Sequence, residues 1–118
     1  MTEYTDKTGA TVTVERSGSR EAFEIRDASG ELAGHADFRE IDGERIFHHT
    51  VVGEEFGGRG IGTALVRGAV EATRADGVTI VPVCSMVEGF LDKNADEFAG
   101  AYRDATAADR ARVGAEEG

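Results

Sequence analysis

Tryptophan is missing from this 118-residue chain, and proline (Pro82) and cysteine (Cys84) each occur once. A single cysteine excludes an intrachain disulfide, so the fold rests on packing and hydrogen bonding. Lysine is nearly absent too, with Lys7 and Lys93 the only two. No run approaches the roughly 20 apolar residues of a membrane span, and the N-terminus lacks the basic and apolar stretches of a signal peptide. The expected compartment is the cytoplasm, with no membrane partner.

Carboxylates are abundant. Asp and Glu number 23 against 13 Lys and Arg, a net charge of −10. That balance opposes a basic face for nucleic acid, so no nucleic-acid partner is expected. Such a chain repels itself unless salt screens its exposed charges, over about 3 Å at 1 M ionic strength. Few lysines, many carboxylates and many small residues fit a halophilic protein from a salt-rich cytoplasm, or a moderately acidic one from an ordinary cell. Hydrophobic residues make up 40%, and a chain of this size buries roughly two thirds of its unfolded surface. One domain over residues 1–112 is expected, with a frayed polar start at 1–10 and a disordered acidic tail at 113–118.

Thr11–Arg16 and Ala22–Arg26 alternate apolar and polar residues, as half-buried strands do. Leu32–Phe38 and Arg45–Val52 read as two more, with Asp27-Ala28-Ser29-Gly30 and Ile41-Asp42-Gly43-Glu44 as turns. Connections this short imply an antiparallel meander. From Ile61 the period changes: Ile61, Ala64, Leu65, Gly68, Ala69 and Ala72 mark one face of a helix ending at Asp76-Gly77. Val78–Val81 is a short apolar strand, which a right-handed crossover would set parallel to Arg45–Val52. Ser85 and Glu88 have capping-box spacing for a helix to about Asp92, and residues 95–112 form a further helix candidate. The fold class is α+β, a mostly antiparallel sheet with helices.

Between the fourth strand and the long helix lies Gly57-Gly58-Arg59-Gly60-Ile61-Gly62. Glycines turn the chain sharply and bring bare N–H groups close to a ligand. The helix start adds unpaired amides and a partial positive charge, a setting for phosphate or diphosphate. The plain alternative is a tight strand-to-helix turn. Gly60-Ile61-Gly62-Thr63-Ala64 also fits a dinucleotide fingerprint, but it follows four antiparallel strands and the next strand ends without an acid. That fingerprint is rejected.

The strand order, His49-Thr50-x-Val52, Gly58-Arg59-Gly60-Ile61-Gly62 and Val81-Pro82-Val83-Cys84 together resemble the GNAT superfamily of N-acetyltransferases. They are closest to its small single-domain subgroup, over about residues 11–99. The resemblance implies a GNAT-like fold with splayed central strands, acetyl-CoA as donor, and a small amine or protein lysine as acceptor. A monomer or weak homodimer is expected. It implies that main-chain groups of Val51 and Val52 meet the pantetheine arm, while Gly57, Gly58, Arg59, Gly60, Ile61, Gly62 and Thr63 hold the diphosphate. Three positions depart from the pattern. Gly57 stands where the superfamily has Gln or Arg, Ser85-Met86 where the subgroup has Pro-Phe, and Phe90 where many members carry a tyrosine acid.

Cys84 and His49 are the catalytic candidates. A thiol just before a helix start is favoured as thiolate and could take up an acetyl group as an acyl-cysteine; the alternative is a small buried wall residue. His49 would relay a proton or orient substrate, or else be a satisfied strand histidine. Glu54 and Glu55 either hold a water acting as base or are solvated surface, and Tyr102 reaches the site only if its helix folds back. His35, His48, His49 and Cys84 form no recognised ligand spacing, so no metal is expected. A non-catalytic CoA-binding sensor or interaction domain of the same fold is the alternative to an enzyme. The charge balance generates one prediction: raising KCl from millimolar to multimolar should raise the thermal unfolding midpoint. An unchanged midpoint would remove the halophilic reading.

Overall fold

The computed structural model describes residues 2–114. Six strands form one sheet in sequence order: β1 (Thr2–Thr5), β2 (Thr11–Arg16), β3 (Ala22–Arg26), β4 (Leu32–Ile41), β5 (Glu44–Val52) and β6 (Thr79–Pro82). The first five are antiparallel, and β6 runs parallel to β5 after a crossover through α1 (Ile61–Ala75). Helices α2 (Ser85–Lys93) and α3 (Ala107–Arg112) follow. This is the expected α+β architecture, a mostly antiparallel sheet with helices.

The alternation in β2 and β3 buries Val12, Val14, Phe23 and Ile25 against α1, whose Ile61, Leu65, Ala69 and Val70 return the contact. Val87, Phe90 and Leu91 of α2 extend the same core. A smaller cluster of Ile46, Val81 and Val83 lies apart from it, packed by Ala105 and Val113. At Gly68 the helix packs tightly on the sheet. A Cβ there would stand 2.7–2.9 Å from the Val14 side chain, inside contact distance.

Arg45 is 2% exposed, unusual for a cation. Its guanidinium lies 5.0 Å from the Phe38 ring centroid and 5.6 Å from that of Phe23. It donates to the Thr73 hydroxyl at 3.0 Å and to Asp76 at 3.2 Å, and pairs with Glu40. These contacts fasten the end of α1 to the start of β5 and satisfy a charge that would otherwise be costly to bury.

Three local expectations are corrected. The start is not frayed, because Thr2–Thr5 pairs with Thr11–Val14 and the Tyr4 hydroxyl donates to Glu71. Cys84, not Ser85, is the N-cap of α2, and no side chain caps that end; the capping box is at Thr106 and Asp109 instead. Residues 95–112 do not form one helix. Gly100 takes φ +83°, after which the amide of Ile80 donates to the Ala101 carbonyl and the amide of Arg103 to the Ile80 carbonyl, covering the free edge of β6. Asp109 then accepts from Arg103, which also grips Glu44 and so fixes α3 to β5. Of the expected tail, Val113 and Gly114 close α3 through amide bonds to Asp109 and Ala111, and 115–118 lie outside the described residues.

Gly68→Ala should destabilise the fold by about 1–3 kcal/mol through overpacking on Val14. This is opposite in sign to the roughly 1 kcal/mol an exposed helical Gly→Ala gains. Urea denaturation measures it.

Candidate functional site

The β5–β6 ladder runs from Glu44↔Thr79 to Phe47↔Pro82 and stops. Pro82 has no amide hydrogen, and the next two amides, Val83 and Cys84, both donate to the Phe47 carbonyl, at 2.9 and 2.8 Å. Among the described residues, no backbone hydrogen bond past that double contact joins β5 to the chain after β6. On the other side β5 stays paired with β4 up to Gly34↔Val52. The β4–β5 register skips there: Asp37 faces His49 while Phe38 faces Phe47, leaving His48 as the extra residue. A bulge bends and twists its strand, and this one sits where β6 departs. The main-chain groups of β5 beyond Phe47 therefore face a parting on their β6 side.

Next to the parting is the glycine turn. The 3-10 turn Glu54–Phe56 ends with the Gly57 amide on the Glu54 carbonyl at 3.0 Å, so Gly57 has no amide to offer. Gly58 and Gly60 then take φ +80° and +77°, conformations that suit glycine, and Gly60 is the N-cap of α1. The amides of Gly58, Arg59, Gly60, Ile61, Gly62 and Thr63 find no acceptor among the described residues. They gather at the positive end of a 15-residue helix.

Arg59 is committed elsewhere. Its Nε and Nη2 donate to Asp6 Oδ2 at 3.2 and 3.0 Å, and its guanidinium stands 5.5 Å from the Phe56 ring centroid. Asp6, buried in the β1–β2 hairpin turn, also accepts from the Thr8 hydroxyl, the Thr8 amide and the Ala10 amide. The Thr8 hydroxyl, with the Ala10 amide and Arg59, outweighs burial and holds the Asp6 carboxyl down at about 2. The Lys7 amide donates to the Arg59 carbonyl at 2.7 Å, so the hairpin turn is bolted to the glycine turn. Sequence reading passed over Asp6, although Asp6-Lys7-Thr8-Gly9 is legible as a turn in which Asp holds its own backbone.

Between α1 and α2 runs a groove of about 460 Å³, bordered by Gly62, Val66, Arg67, Met86 and Phe90. Met86, 42% exposed, leans over Gly62, and Val52 closes the same corner from β5. Arg67 is engaged by Glu71 and Glu97. Phe90 offers no hydroxyl and packs edge-on against Phe98.

Cys84 is 6% exposed, with its Sγ 3.2 Å from the Thr50 hydroxyl. Its position before α2 is the one anticipated. His49 is not beside it. Neighbouring strand residues point to opposite faces, and His49 lies across from Asp37, which is hydrogen-bonded to His35 on the outer face. Val51 also lies on that face, 38% exposed, while Val52 packs toward α1. Burial depresses the basicity of His48, aided by His49 and Arg39 and opposed by Asp37 and Glu21. Glu54 and Glu55 are exposed. Tyr102 pairs with Ile80 at the closed end of the β5–β6 ladder, away from the parting. Among the described residues no cluster of three His, Cys, Asp or Glu side chains is arranged for a metal, and no helix is long and apolar enough to cross a membrane.

A family model described as GCN5-related N-acetyl-transferase matches residues 22–100. The solution NMR structure of a GCN5-like candidate N-acetyltransferase from Staphylococcus aureus superposes with a TM-score of 0.59. It is 26% identical, and the match covers 80% of this chain and 91% of that one. No curated protein matches the chain.

The Asp6 carboxyl, lowered in the fold from an unfolded value of about 3.9, should stabilise the protein fully above about pH 4. That contribution is lost as the pH falls toward 2. The stability difference between wild type and Asp6→Asn, measured in urea at stepped pH, should therefore be full at pH 6 and shrink below about pH 4. A difference constant with pH would contradict the ionised role.

Proposed function

Since the chain belongs to the GCN5-related N-acetyltransferase family, whose chemistry is acyl transfer, we propose that it moves an acetyl group from acetyl-CoA to an amine. The observation that carries this reading is the ladder's stop at Phe47 beside six uncommitted amides. An anionic diphosphate suits the amides and the helix's positive end, and it needs no net positive surface on a chain of −10. The free edge of β5 beyond Phe47 suits an extended amide-bearing arm, which it would hold as an added strand is held. When bound, acetyl-CoA supplies an activated acyl thioester. The protein's part is to orient it and to exclude water, and positioning of this kind supplies much of the rate.

In this reading Cys84 lines the parting, held by Thr50, and transfer is direct. His49 serves an acceptor arriving from the outer face, where Glu54 and Glu55 are further candidates to take the amine's proton by way of water. A small amine or a protein lysine fits the acidic surface.

A second reading, a CoA-binding module without turnover, is favoured by one observation. The hydroxyl of Tyr4 is bonded to Glu71, and Tyr102 bridges to Ile80 within the paired part of β6, before the ladder stops.

Thiol release from acetyl-CoA with a panel of amines, at high KCl, separates the two. Amine-dependent release is expected, and binding without release would favour the module. Cys84→Ala should keep most of the turnover, and the intact mass after incubation with acetyl-CoA should show no added acetyl group. An acetyl adduct on Cys84, with activity lost in the variant, would replace direct transfer by a two-step route.

A further inference from the structure

Position 57, where the superfamily carries Gln or Arg, is glycine here, and the nearby Arg59 is neutralised by Asp6. The turn thus lacks a free cation from its own segment. The N-terminal hairpin brings one. The Lys7 stem lies across Gly60: a Cβ on that glycine would stand 3.0 Å from Lys7 Cγ and 3.5 Å from Cδ and Cε. The ammonium, one bond beyond Cε, is therefore beside the first turn of α1. Lys7, Gly60 and Thr63 border one shallow groove there.

The pairing of the other cations sharpens this. Nine of the eleven arginines form an ion pair, Arg74 donates to the Glu97 carbonyl, and Arg110 donates to the Val83 carbonyl. Of the lysines and arginines among the described residues, only the two lysines make neither an ion pair nor a side-chain hydrogen bond. In a chain with 23 carboxylates, an uncommitted ammonium beside six uncommitted amides is the arrangement an anionic ligand would complete.

We propose that Lys7, from a hairpin outside the residues matched by the family model, is the cation that meets the diphosphate of CoA at the glycine turn. It replaces from the N-terminus the side chain that position 57 lacks. This rests on the acyl-CoA reading of the preceding subsection. The contact is solvent-facing, so its effect is moderate and salt-sensitive.

The test is calorimetric titration of CoA and of 3′-dephospho-CoA into wild type, Lys7→Ala, Lys7→Arg and Arg112→Ala, at two KCl concentrations. Arg112, on α3 and paired with Asp42, controls for the loss of one positive charge anywhere. Lys7→Ala should bind both ligands on the order of fivefold more weakly, with a flatter salt dependence. Lys7→Arg should recover most of the loss, and Arg112→Ala should match wild type. Unchanged unfolding midpoints would show that Lys7→Ala remains folded, as its main-chain bond to Arg59 is untouched. Wild-type binding with no loss in Lys7→Ala, or an equal loss in Arg112→Ala, would overturn the assignment. A loss confined to CoA and absent with dephospho-CoA would also overturn it, moving Lys7 to the 3′-phosphate. Absence of binding by wild type would instead overturn the acyl-CoA reading itself.

Discussion

The Phe47 carbonyl accepts two amides from the strand leaving it, and the site depends on that shared bond. Up to Phe47, β5 and β6 form an ordinary parallel ladder; afterwards β5 keeps only its β4 partner. Pro82 removes one donor at the stop, and the bulge at His48 turns β5 just where its second partner is lost. Unpaired main-chain groups in a sheet normally face water or another chain. Here they face the parting that β6 leaves beside β5.

The same economy of partners governs charge. Most arginines are tied to carboxylates, and the most deeply buried, Arg45, is satisfied by Thr73, Glu40 and Asp76 while lying against two adjacent phenylalanine rings. An acidic chain organised this way has little free positive charge. Under the proposed acyl-CoA reading, anion recognition would fall to backbone amides, to a helix end whose partial charge does not depend on composition, and to the one lysine beside them.

Much of this was legible in the residues. Alternation in Thr11–Arg16 and Ala22–Arg26, and the 3.6-residue period from Ile61, marked elements the structure contains. Glycines ahead of that helix marked the turn. Thr2–Thr5 was not legible, because a short polar edge strand has no period of its own and is held by its ladder and by Tyr4 on Glu71. The bulge and the ladder's end were equally hidden, since register is a property of two strands and not of either alone. His49 and Cys84, both catalytic candidates in the sequence, are separated by strand alternation, which Thr50 settles by facing the thiol. The link between Asp6 and Arg59 spans 53 residues, and no local pattern announces it.

That long-range link has a further meaning for the glycine turn. Loops rich in glycine lose much conformational freedom when they order, and a floppy cradle would charge that loss against every ligand it captured. The hairpin's carboxylate holds Arg59 and its backbone holds the Arg59 carbonyl, so the glycine turn is fastened to the β1–β2 hairpin. Its stiffness is inherited from the opening residues of the chain.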